Sequence, residues 1–128
     1  MPTKAKTPRM TIADIESMSV AEIAVIAKCK NPDKGSLGET FLLDLTRNFT
    51  FSVREHSEVT GEREYMSAIA IVVFNFEYLL RSSLPDDVFT VYDDLIIDGS
   101  SSIDPTKAFE CIALLANNLL FSLYLTMK

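Results

Sequence analysis

Apolar positions in TIADIESMSVAEIAVIAKCK, residues 11–30, recur on a rough helical period through Ile12, Ile15, Ile23 and Ile26. Ser19 and Glu22 have the spacing of a capping box inside that run, which predicts a helix that breaks near Ser19. The turn formers of NPDKGSLG then close the element. The block ETFLLDLTRNFTFSVREHSE behaves differently: Phe49, Phe51 and Val53 alternate with Thr50, Ser52 and Arg54. Period two in a Thr-, Phe- and Val-rich block predicts a hairpin of residues 40–45 and 49–56 joined by the TRN link. Leu42, Leu45, Phe49 and Val53 also satisfy a helical spacing, so a helix is the alternative.

A helix is expected over residues 66–80, with a possible strand before it at EREYMS. Leu84-Pro85 stops it, because the residue before proline is pushed out of the helical region. DDVFTVYDDLIIDG reads as two short strands by its β-branched and aromatic content, with Asp93-Asp94 at the turn. Asp104 then stands where an N-cap belongs and Pro105 at the first helical position, which opens a last helix over 105–127. AIAIVVFNFEYLL at 68–80 and CIALLANNLLFSL at 111–123 align without gaps, from a strand-strand-helix unit used twice or from shared apolar composition. The resulting expectation is an α+β fold in the order helix, strand pair, helix, strand pair, helix, with long apolar helices on an antiparallel sheet. An all-α bundle is the alternative.

The last helix would be ~34 Å long, enough to span a bilayer. Glu110, Asn117, Asn118 and Ser122 interrupt it, however, and only Lys107 and Lys128 flank it. Burial in protein rather than membrane is therefore expected. A helix apolar on nearly every side must be covered on nearly every side. The other long helix can supply part of that cover, and a second copy of the chain in a twofold homodimer can supply the rest.

With 128 residues, 48% hydrophobic and 23% charged, the chain has the size and composition of one globular domain. Residues 1–10 read as a flexible basic tail and 11–128 as a single domain. Lys4, Lys6 and Arg9 fall in that tail, which leaves nine basic against eighteen acidic groups in the remainder. Direct nucleic-acid binding by so acidic a domain is not expected, because phosphate recognition relies on Lys and Arg displacing counterions. The N-terminus lacks the apolar core of a secretory signal, so a cytoplasmic location is the expectation. Cys29 and Cys111 form neither a C-x-x-C motif nor a disulfide framework, which fits a reducing compartment. The sequon Asn48-Phe49-Thr50 is then incidental.

Candidate chemistry is sparse. His56 is the one histidine, and no G-x-S-x-G elbow accompanies it. One His and two separated Cys do not make a zinc site. The run Asp86–Asp104 holds six carboxylates, but an EF-hand loop begun at Asp94 would place Ile96 and Pro105 at ligand positions. GSLGE lacks both the lysine of a P-loop and the spacing of a dinucleotide fingerprint. No enzyme, cofactor or metal is expected.

Asn75 within VVFNFEYLL and the run LIIDGSSSIDPTKAFECIALLANNL are similar to the middle helix and to the strand, loop and last helix of the class I chaperones of type III secretion systems. The resemblance covers roughly residues 70–123. It implies a small non-catalytic dimer that holds an extended segment of a protein partner through apolar pockets and sheet-edge pairing. The expected function is an acidic protein-binding module that sequesters or escorts its partner. Phe49, Phe51 and Val53 would form one apolar strand face, with Phe89 and Val91 on the neighbouring pair. The alternative is a small acidic inhibitor or immunity protein of a mobile element. It would offer Asp86, Asp87, Asp93, Asp94 and Asp98 to the basic groove of a nucleic-acid-binding enzyme.

Overall fold

A computed structural model describes residues 10–59, 88–96 and 103–127. Within them the chain forms α1 (Ile12–Glu16), α2 (Val20–Ala27), α3 (Leu37–Val59), α4 (Val88–Leu95) and α5 (Pro105–Met127), and no strand is present among the described residues. The α+β expectation is thereby corrected to an all-α bundle, the stated alternative. The helix expected over 66–80, the strand at EREYMS and the strand portions at 86–87 and 97–98 lie outside the described residues.

Local chemistry sets the short N-terminal helices. Thr11 caps α1: its Oγ1 accepts from Asp14 N–H at 3.1 Å, while the Asp14 carboxylate accepts from Thr11 N–H at 2.8 Å. Ser19 and Glu22 repeat that reciprocal box at 3.1 and 2.8 Å, so the helix breaks at Ser19 as the spacing predicts. Lys28, in the left-handed region at φ 59, ends α2, and Cys29 N–H reaches back to Ala24 O at 3.1 Å.

The hairpin expected over 40–56 is a single helix. Phe41, Leu42, Leu45, Phe49 and Val53 are all buried, together with Thr46 and Thr50, which is a three-and-four recurrence along one face. Phe51, which alternation would set beside Phe49 and Val53, is 59% exposed. The TRN link lies in mid-helix, and Thr46 Oγ1 donates to Leu42 O at 2.8 Å, so the β-branched residue buries no unsatisfied hydroxyl. Tertiary burial of the long apolar stripe outweighs the strand propensity of its members.

The same correction applies to α4. Val88, Val91, Tyr92 and Leu95 are buried at helical spacing, and Asp93-Asp94, expected at a turn, belong to the last helical turn. Asp104 caps α5 as expected, its Oδ1 accepting from Lys107 N–H at 2.8 Å with Pro105 next in line.

The two long helices α3 and α5 touch each other. α4 packs on both, α2 also bridges both, and α1 lies on α3. Ile112, Leu119, Leu120 and Leu123 of α5 and Leu42, Leu45 and Phe49 of α3 are completely shielded at their centre. Each such side chain contributes about 1.5–3 kcal/mol relative to exposure. Two backbone bonds close the bundle: Met10 N–H to Thr126 O at 3.0 Å, and Lys30 N–H to Leu95 O at 2.8 Å.

Candidate functional site

Between the α1–α2 pair and α3 lies a cleft of about 350 Å³. Ile15 of α1 and Ile23 of α2, on either side of the break at Ser19, both line it. Ile15, Ile23, Met18 and Leu43 supply apolar walls, the first two from the core and the last two half-buried. Thr46 and Thr50 complete the lining from the same side of α3. Their hydroxyl protons are committed to their own helix, Thr46 to Leu42 O at 2.8 Å and Thr50 to Arg47 O at 3.0 Å. The cleft therefore receives their methyl groups and hydroxyl lone pairs, not proton donors.

Charge is confined to the rim. Arg54 grips Glu16 with two hydrogen bonds, Nη1 to Oε2 at 2.8 Å and Nη2 to Oε1 at 3.0 Å. Those bonds hold the Glu16 carboxyl below its ordinary pKa, so it is an anion and no proton donor at neutral pH. Arg47, also on the rim, is 72% exposed and stands 3.8 Å from Asp44, a contact too long and too solvated to immobilise it. Asp14 and Glu22 are likewise held below their ordinary values, first by the backbone N–H of their capping partners Thr11 and Ser19. A hollow lined in equal part by apolar side chains and by Glu16, Thr46, Arg47 and Thr50, with an exposed cation at its edge, can receive an apolar group beside a polar one.

The residues expected to form a binding face do not share one. Phe49, Val53 and Val91 are core side chains, while Phe51 and Phe89 are exposed at 59% and 40% on different helices. Of the five aspartates, Asp86, Asp87 and Asp98 lie outside the described residues, and Asp93 is exposed. Asp94 is half-buried and accepts from Gly38 N–H at 2.9 Å, closing an orphan donor in the first turn of α3. His56 lies on α3. Among the described residues no group of three or more His, Cys, Asp or Glu could hold a metal ion. Cys29 and Cys111 are free thiols, half-buried, and burial pushes the Cys29 pKa up, away from a reactive thiolate. The cleft was missed in the sequence because it joins residues 15–23 to 43–50, and only the capped break at Ser19 hinted at a bend.

By length and composition α5 is long and apolar enough to cross a membrane, with a mean hydropathy of 1.6 and 44% of its most apolar stretch buried in the protein. No family model, curated protein or solved structure matches the chain.

Proposed function

We propose that this chain is a non-catalytic, acidic protein-binding module of the cytoplasm, which sequesters or escorts a partner by holding apolar side chains of that partner in the α1–α2/α3 cleft. The observation that carries this reading is the cleft itself: apolar walls, hydroxyls already satisfied, and Arg47 at the edge. Its volume suits one or two large side chains, within the range of small binding sites. Met18 gives the wall an adaptable surface, since an unbranched thioether repacks around different shapes. A partner segment with a Leu, Ile or Phe anchor followed by a carboxylate matches the hollow and the Arg47 guanidinium together. With no strand among the described residues, sheet-edge pairing plays no part in this proposal.

A photo-activated cross-linker placed at Leu43 of the full chain, in its native cell, tests the proposal. A defined protein should be captured from Leu43 and not from Asp93. Met18→Glu and Leu43→Arg should release it without loss of helix content, and about 0.5 M salt should leave binding intact. Capture from Asp93 instead, abolished by salt and indifferent to Met18→Glu, would replace this reading with the acidic inhibitor.

A further inference from the structure

The side of α5 that turns away from the core carries a second apolar row. Ala108, Ile112, Leu115, Leu119 and Leu123 define its buried face. At 3.6 residues per turn the opposite face is traced by Leu114, Asn118, Phe121 and Leu125, at steps of four, three and four. Charge is the usual content of an outward helix face. Here Leu114, Phe121 and Leu125 are 60%, 44% and 64% exposed, and Asn118 is exposed between them. Half-buried Cys111 extends the row one step toward the start of the helix. That alternation is the a/d seam of a coiled coil, with Asn118 its one polar member.

We propose that this seam is covered by the same seam of a second copy, with the two α5 helices antiparallel about a twofold axis. Leu114 then lies level with Leu125 of the partner subunit, and Asn118 with Phe121 of the partner subunit. Both pairs share one midpoint, between 119 and 120, so a single axis satisfies the whole row. The charges at the two ends select the antiparallel arrangement. Asp104 and Glu110 outnumber Lys107 at the start of α5, while Lys128 follows its end in sequence. An antiparallel pair brings basic ends to acidic ends and opposes the helix dipoles, whereas a parallel pair sets like against like. A lipid face would press Asn118 and Glu110 against hydrocarbon, but at a helix seam one polar position sets register.

This inference is independent of the cleft and of what the cleft binds. A seam ~16 Å long along the helix is shorter than a standard interface supplies, so the dimer is weak and concentration-dependent.

Sedimentation velocity of the full chain from micromolar to near-millimolar concentration tests it. Wild type should pass from monomer to dimer. Leu114→Glu and Leu125→Glu should each weaken the dimer by more than about tenfold while the melting temperature of the subunit holds. Glu110→Lys should weaken it, and Lys128→Glu on that variant should restore it. For orientation, a bis-maleimide should join Leu114→Cys to Leu125→Cys chains in a Cys29→Ser/Cys111→Ser background, and neither to itself. Three results overturn the proposal. These are a monomer at every concentration, self-linked Leu125→Cys, or seam variants that unfold a monomeric subunit, which would show the chain's own residues covering the row. Vesicle binding by a monomer, abolished by the same variants, would assign the seam to lipid and overturn it too.

Discussion

Replacing Gly38 by alanine inserts one methyl group at a tight junction between α3 and α4. A Cβ there would stand 2.5 Å from Asp94 Cβ and 3.1 Å from Leu95 Cδ2. Carbon atoms pack without repulsion at about 3.5–4.0 Å, so the end of α4 must retreat from α3 by roughly 1 Å. Retreat stretches the 2.9 Å bond from Gly38 N–H to the Asp94 carboxylate, and Leu95, fully buried, loses its fit. Overpacking of this kind costs about 1–3 kcal/mol, and a hydrogen bond to a charged acceptor is worth about 1.5–3 kcal/mol. Alanine returns at most about 1 kcal/mol through its higher helix propensity. The net expectation is a loss of about 2–3 kcal/mol, which for a domain of this size lowers the melting temperature by roughly 5–10 °C. Urea and thermal unfolding followed by circular dichroism measure it. Asp94→Gly removes the opposing Cβ, so Gly38→Ala should cost markedly less in that background, a coupling that a double-mutant cycle reads directly. If Gly38→Ala is as stable as wild type, or the cycle shows no coupling, the α3–α4 contact is not the one described.

Phe49→Ala should cost about 3–5 kcal/mol and Phe51→Ala less than about 0.5, because one is core and the other surface; near-equal costs in urea melts would restore the strand face. Asp104→Ala should cost about 0.5–2 kcal/mol by uncapping α5, with Asp104→Ser largely neutral, and equal losses for the two would count against the cap. The lowered pKa values of Asp14, Glu16 and Glu22 set a pH dependence. Each carboxyl is a stronger acid in the folded chain than in the unfolded one. Its contribution is therefore whole above the ordinary carboxylate range near pH 4 and is lost as pH falls through the lowered values. The melting temperature should be flat from neutral to about pH 5 and then decline, more gently in an Asp14→Asn/Glu16→Gln/Glu22→Gln variant. An unchanged acid limb in that variant would refute the assignment.

Features encoded by a few neighbouring residues were legible in the sequence. The break at Ser19 and the start of α5 at Asp104-Pro105 are of this kind, since a cap is chemistry within four positions. The capping box of Thr11 and Asp14 had the same form and passed unread. α3 was misread because Phe49, Phe51 and Val53 match a strand over three positions, while the decisive helical stripe runs from Phe41 to Val53. A longer window would have favoured it. The same holds for Val88, Val91, Tyr92 and Leu95, whose spacing is helical although their types favour strands. Contacts between distant segments were out of reach: nothing local says that Asp94 meets Gly38, or that Leu43 faces Ile15 across a hollow.

Lys30 spans from the end of α2 to the end of α4, with its N–H on Leu95 O and its ammonium on Asp93 O at 2.6 Å. An eight-residue helix is too short to persist alone in water. α4 therefore takes its order from this clasp and from the core. Its amide protons should exchange with solvent only when the whole bundle opens, which makes this short segment a gauge of global unfolding.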